Sequence, residues 1–438
     1  MEFRSRIVLR SRSEQKVEHA REKPELGART ASRTELGRRA VLVGAAAWGV
    51  GALASACTAS PATRPSPVTS GSPPPLPQAP ALRLKFVQTA KELLTPGAVM
   101  TVRTPDGEMS ATYGSRTDTG SVPVTLADHV RIGSITKTFT GTVILQLAQE
   151  GKLNIDAPVT EYRPDVPNGN NITLTQLLDM RSGLYNYSES VDLNKALDDD
   201  PAKVWTPAEL LALGLKYPAY FPPGTDFHYS NTNFVLLGLI IEQLEQRPLG
   251  SVYQTRLFTP LAMHETSFPP AADTAIPAPH PRGYMYGTNV ETMKSEALSP
   301  DQQAAAKAGT LKPHDVTDST PSWAWAAGGA ISTVADLATW ATALSDGTLL
   351  NATWQRKRLD SVQSTNPGSP AAAGYGLAIG KFGQLYGHTG ELPGFQSFTG
   401  HDPDRKITVT VWTNLNAAPD GRAPATTIAQ QLIGKIYG

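Results

Sequence analysis

The chain has 438 residues, 40% hydrophobic and 18% charged, enough to bury a large core without disulfide staples. Lys+Arg and Asp+Glu are equal at 39 each, so no basic excess points to nucleic acid as a partner. One Cys excludes a disulfide framework and a Cys-based zinc site, and the 8 His residues contain no HExxH pair; neither a metal nor another cofactor is expected.

The balanced charge is unevenly placed. Residues 1–40 carry a net +5 and the remainder a net −5. Arg38-Arg39 precede an uncharged Ala- and Gly-rich stretch that runs from Ala40 to Ala56. That is short for a membrane span of about 20 residues. A basic leader with paired arginines resembles a twin-arginine export signal. The stretch ends in LASAC at Cys57, which resembles a bacterial lipoprotein processing site, although Ala54 stands where Leu is commonest. Lipidation of Cys57 would tie the protein to the outer face of the cell membrane. An uncleaved signal anchor and plain cleavage after Ala56 are the alternatives, and each leaves the body outside the cytoplasm. Residues 58–83 are dominated by Pro, Ser and Thr and are expected to form a disordered tether.

The folded body is expected over 84–438. Residues 97–114 read as a β-hairpin around the turn signal Pro105-Asp106-Gly107. Residues 134–150 place Ile135, Phe139, Val143 and Leu147 at four-residue intervals, with Gly151 as a stop, which predicts a helix. Thr173 and Gln176 form a capping-box pattern. Further helices are expected over 233–246, over a segment capped by Thr333 and Asp336, and over 424–437. The stretch 269–322, rich in Pro, Ala and Gly, reads as mostly loop. Segments 396–399 and 407–413 alternate like strands, with Ile407, Val409 and Val411 on one face. Strands at both ends with helices between predict an α/β chain of the α+β type. One antiparallel sheet is built from both chain ends and flanked by helices, an all-α lobe is inserted at roughly 140–325, and the active site lies between.

Three short motifs carry chemistry. Ser134-Ile135-Thr136-Lys137 puts a hydroxyl and an amine on one helix face. Serine becomes nucleophilic when a base takes its proton, and lysine can serve if burial or nearby charge lowers its pKa. The same pattern also suits a helix cap with a solvated lysine. Tyr229-Ser230-Asn231 offers a phenol that can relay a proton and an amide that can both donate and accept. His388-Thr389-Gly390 offers two polar side chains and a residue that tolerates close backbone approach. Each alone is a weak signal.

In this order and spacing the three resemble the serine β-lactamase and penicillin-binding DD-peptidase superfamily, closest to class C β-lactamases and D-alanyl-D-alanine carboxypeptidases. The stretches RSGLYNY, AAGGAISTVADLATW and HTGELPGF extend the likeness over nearly the whole body. The resemblance implies Ser134 as the acylated nucleophile, with Lys137 and Tyr229 sharing the proton transfers and either one as the base. It implies Asn231 as a hold on the substrate amide. His388, Thr389 and Gly390 would line the wall that attracts a substrate carboxylate, and the backbone N–H groups of Ser134 and Glu391 would form the oxyanion hole. Expected substrates are a small peptide, a β-lactam or an ester, with peptidoglycan among the peptide sources. Two departures stand out. Glu391 occupies a position where Ser or Thr is common, and Lys381 is the one cation on the segment preceding the third motif. The leading expectation is therefore a D-Ala-D-Ala carboxypeptidase or β-lactam-reactive enzyme, with an esterase of the same fold as the alternative. A catalytically inactive sensor is disfavoured because all three motifs are intact. The G-x-S-x-G elbow of an α/β-hydrolase is absent, since Thr136 follows Ser134 by two.

Overall fold

The computed structural model describes residues 76–365 and 373–438. The paired arginines, Cys57 and the first part of the proline-rich stretch lie outside the described residues. Helix α1 (Ala79–Glu92) has a proline in its first turn, where a missing N–H costs nothing. Leu82, Phe86 and Ala90 follow at four-residue intervals and are fully buried. This corrects the tether boundary at 83: ordered helix begins at Ala79. Pro80-Ala81 continue the composition of a tether, yet Leu82 already makes a core contact.

Eight antiparallel strands form one sheet. They are β1 (Gly97–Thr104), β2 (Gly107–Gly114), β3 (Gln363–Ser364), β4 (Gly374–Gly376), β5 (Ile379–Phe382), β6 (Leu385–Leu392), β7 (Phe395–Asp402) and β8 (Ile407–Thr413). Their spatial order is β2-β1-β8-β7-β6-β5-β4-β3. Met100 of β1 and Phe398 of β7 both face Val411 of β8, so the two chain ends meet in mid-sheet. Side-chain alternation then sorts the faces. Ala98, Met100, Val102, Ile407, Val409 and Val411 join Phe86 of α1 and Ile428 and Leu432 of helix α5 (Pro424–Tyr437) in one core. Each large apolar side chain buried there contributes about 1.5–3 kcal/mol.

The other face of the sheet is covered chiefly by α4 (Val334–Asp346), with α2 (Thr136–Gln149) against β6, and α3 (Asn231–Glu245) of the insertion packs on α2. The apolar stripe legible in α2 is one side of a helix buried all round, from Thr136 to Leu147. Its threonines are tolerated because their hydroxyls are bonded: Thr138 to the Ile135 carbonyl at 2.6 Å, Thr140 to Ala326 at 2.7 Å and Thr142 to Thr138 at 2.7 Å. The Trp340 indole of α4 donates to Thr138 at 2.7 Å, locking α4 against α2. The Thr173–Gln176 capping box is present. The stretch 269–322 is more ordered than its composition suggested. Helices Asn289–Lys294 and Pro300–Ala308 each open with a capping box, Thr288 with Glu291 and Ser299 with Gln302.

Candidate active site

The site begins where two backbones touch. Gly133 precedes Ser134 with φ +52°, and a Cβ there would overlap the Glu391 nitrogen. A Cβ on Gly390 would overlap the Ile132 carbonyl. Glycine at both positions therefore lets β6 lie directly on the turn that feeds α2. The β6–β7 hairpin closes on Leu392 and Phe395 through two residues, and Glu391 is opposite Gln396. Alternation of the ladder makes that second pair non-hydrogen-bonded, so the Glu391 N–H turns outward, to the side of Gly133 and Ser134. Two backbone donors thus converge beside a half-buried Ser134.

Lys137 lies one turn further on and is fully buried. Its Nζ donates to Ser134 Oγ at 2.9 Å and to the Ala327 carbonyl at 2.7 Å. Its Nζ sits 4.8 Å from the centre of the Tyr229 ring. No carboxylate pairs with it among the described residues. Burial therefore pushes the amine well below the usual lysine range. A solvated lysine on a helix cap is not what the structure contains.

Tyr229 arrives on the segment just before α3. Its hydroxyl is enclosed and makes no well-formed hydrogen bond. Burial raises its pKa, and the nearby Ser134 hydroxyl offsets only part of that. The phenol is thus protonated at neutral pH. Asn231 opens α3, where its N–H donates to Asn186 Oδ1 at 3.0 Å and its Nδ2 to Ser188 Oγ at 2.8 Å. Its Oδ1 is enclosed and makes no hydrogen bond, which leaves that oxygen as the amide's spare acceptor.

The third motif departs from expectation at His388. The ring is buried, with Nδ1 against the Thr389 carbonyl and Nε2 3.1 Å from the Tyr375 hydroxyl. A carbonyl can only accept, so Nδ1 carries the proton and Nε2 accepts from Tyr375. Burial first, and Lys137 second, push the imidazole down to about 3. With both nitrogens engaged, the ring holds no free donor for the carboxylate that the resemblance implied. His388 instead braces the wall through Tyr375. Thr389 and Glu391 point to the opposite, open side of β6. Protein mass around Glu391, and then the charge of Glu296, raise its carboxyl to about 7. The side chain keeps surface that water can reach, which tempers that rise. Lys381 stands over the Tyr386 ring, 4.7 Å from its centre.

Sequence reasoning missed Ala327, Asn186, Ser188, Tyr375 and Asn416 as members of the site. Ala327 acts through its carbonyl, which no side-chain pattern marks. Asn416 is 25 residues from its partner Glu391, so only the sheet topology brings it in.

This fold and this Ser134–Lys137–Tyr229 cluster are of the β-lactamase/transpeptidase type. The Beta-lactamase family model matches residues 86–433, and the chain belongs to that family. Protein flp from Staphylococcus aureus (strain N315) is 32% identical over 183 residues, which is 40% of this chain and 35% of the relative. The D-aminopeptidase of Cereibacter sphaeroides is 28% identical over 341 residues, 76% of this chain and 60% of the relative. The chain thus spans about a third of the length of the first relative and under two thirds of the second. Among solved structures, a D-stereospecific amidohydrolase from Streptomyces sp. matches with TM-score 0.67 and 30% identity, covering 80% of this chain and 97% of that one. The D-amino acid amidase of Ochrobactrum anthropi SV3, complexed with L-phenylalanine, matches with TM-score 0.68 and 25% identity, covering 82% and 98%.

Proposed function

We propose that this chain hydrolyses amide bonds of small D-amino-acid derivatives or peptides through an acyl-enzyme on Ser134. The observation that carries the reading is the buried Lys137 amine, 2.9 Å from Ser134 Oγ and without a carboxylate partner. Of the two candidate bases, Lys137 has the lowered proton affinity for its charged form and Tyr229 the raised pKa. Lys137 is therefore the base and Tyr229 the relay. Lys137 takes the Ser134 proton as Oγ bonds the substrate carbonyl carbon. The oxyanion forms against the N–H groups of Ser134 and Glu391. Tyr229 protonates the departing amine and is reprotonated from Lys137. Water then releases the acid by the reverse sequence. The solved relatives with 25–30% identity carry names of D-specific amide hydrolases, which supports an amide over an ester.

A D-Ala-D-Ala carboxypeptidase or β-lactam-reactive enzyme is the second reading. It is supported by the three motifs, but the cleft wall at His388 offers no charge to a terminal carboxylate. The test is a parallel assay of purified protein with a D-amino acid amide, a D-Ala-D-Ala peptide, a chromogenic cephalosporin and an aryl ester. The proposal requires turnover of the amide ahead of the other three; a preference for the D-Ala-D-Ala peptide or the cephalosporin would replace it with the second reading. Arg38-Arg39 and Cys57 further support export, with lipid anchorage at the outer face of the membrane and peptides of cell-wall origin within reach.

A further inference from the structure

Glu189 takes no part in the acyl-transfer steps, yet three donors converge on it. Tyr220 Oη donates to Oε2 at 2.6 Å, and Asn186 Nδ2 donates to Oε1 at 3.1 Å. His228 Nε2 lies 3.1 Å from Oε1 and 3.2 Å from Oε2. Burial works against the charge, but the bonds from His228, Tyr220 and Asn186 hold the carboxyl below its usual range. An ionised carboxylate only accepts, so each of these neighbours must donate. The donors are also tied to one another. The Tyr220 and His228 rings stack with centres 3.8 Å apart, and the Asn186 N–H donates to Tyr220 Oη at 3.2 Å.

From Glu189 the direction of each bond is fixed as far as the site. With Nδ2 on Glu189, Asn186 turns Oδ1 to the Asn231 N–H, 3.0 Å away, and to the Ser188 hydroxyl, 2.9 Å away. That N–H is an end donor of α3, whose own N-cap residue Ser230 makes no side-chain cap. Ser188 donates its proton to Asn186, so its Oγ accepts from Asn231 Nδ2 at 2.8 Å. Nδ2 of Asn231 is thereby committed to the protein, and Oδ1 is the end left without a partner. Resting on the amide-hydrolase reading above, with Asn231 as its hold on the substrate amide, we propose that Glu189 is a positioning residue for that reaction: through Asn186 and Ser188 it fixes where the Asn231 amide stands and which of its ends stays uncommitted. Asn186 caps the turn Tyr187–Glu189 that carries both Ser188 and Glu189, so a displaced carboxylate disturbs both contacts to Asn231 at once. The Tyr-Ser-Asn motif carries no mark of Glu189, because the link exists only once the chain is folded.

The experiment is a double-mutant cycle on kcat/KM for a D-amino acid p-nitroanilide, with Glu189→Ala, Asn231→Ala and the pair. Ser188→Ala, Glu189→Gln and intact-mass detection of a Ser134 adduct from an aryl ester accompany it. Misplacing a group that holds the substrate by about 1 Å costs up to about a hundredfold. Glu189→Ala should lower kcat/KM by roughly ten- to a hundredfold. The double variant should be no slower than Asn231→Ala alone, because a displaced Asn231 and a missing one are the same loss. Ser188→Ala removes the last link and little packing; it should behave as Glu189→Ala does, and it carries the cycle if Glu189→Ala does not fold. Glu189→Gln can keep an oxygen toward Asn186 and should recover most of the loss. A merely structural role would add its loss to that of Asn231→Ala. Additive losses, an unchanged kcat/KM without the Glu189 carboxylate, or no recovery in Glu189→Gln would overturn the positioning role while turnover of the anilide keeps the amide reading. A Ser134 adduct from the ester without turnover of the anilide would overturn the amide reading, and the role of Glu189 with it. Neither adduct nor turnover would overturn the hydrolase reading itself.

Discussion

An amine enclosed by the Tyr229 ring and the Ala327 carbonyl loses the hydration that would keep it charged, and the seryl hydroxyl 2.9 Å away is the group it can deprotonate. Lys137→Ala and Tyr229→Phe should each slow acylation by about a hundredfold or more. In the double variant the losses should not add, because both residues serve one proton path. Acylation rates of the three variants check this, and additive losses would show independent roles. His388 gives a pH signature in stability. The folded ring holds a proton only below about 3, whereas the unfolded ring holds one below about 6.5. Between these values the unfolded chain binds more protons, so this contribution is lost as pH falls through the window. Glu391, raised to about 7, acts in the opposite direction from about 4.5 to 7. The two are separated by difference. Against wild type, His388→Asn should flatten the loss of thermal midpoint on acidification from pH 6.5 to 4, and parallel curves would deny His388 its neutral, buried state. Ser134, Lys137, Tyr229 and Asn231 were legible because their chemistry is local: a three-residue step on a helix, or the first turn of another. The protonation of His388 was not, because it depends on Tyr375 and on burial, and neither is written in the three-letter motif.

The elements meet through glycines and through helix α1. Gly133→Ala must put a side chain at φ +52° into the Glu391 nitrogen, so β6 and the start of α2 have to separate and the two oxyanion donors diverge. Loss of such a donor is worth about a hundred- to a thousandfold in kcat. The expected result is a kcat fall of that order with KM little changed; an unaltered kcat would mean that Glu391 contributes no oxyanion contact. Helix α1 is tested by Leu82→Ala. A fully buried leucine in that position should cost about 2–5 kcal/mol on denaturant unfolding, whereas a tether residue would cost nothing measurable. The boundary of α1 and the helix Pro300–Ala308 within 269–322 were obscured for one reason. Proline in a first helical turn reads as a loop by composition, and the Ser299–Gln302 box is adjacent to such a proline. The hairpin β1–β2 and strand β8 were legible because their alternation and their turn are both local.

For the whole molecule, the joining of β1 to β8 across more than 300 residues was predicted from strands at both chain ends and helices between. Which residues this joining sets beside one another, such as Asn416 beside Glu391, required the sheet order itself. The proposed export makes a prediction at the same scale. Replacing both Arg38 and Arg39 by Lys should leave the protein in the cytoplasm, and Cys57→Ala should release it from the membrane fraction, because firm anchoring takes the acyl chains. A Cys57→Ala protein that stays with the membrane and keeps its amino-terminal segment would instead be held by a signal anchor. The central claim is the covalent intermediate on Ser134, and intact-mass spectrometry followed by peptide mapping tests it most directly. After brief exposure to a slowly released acyl donor, wild type should gain the acyl mass on the peptide that contains Ser134, and Ser134→Ala should gain none and lose turnover by about a thousandfold or more. An adduct mapped to another residue, or full turnover by Ser134→Ala, would contradict the account.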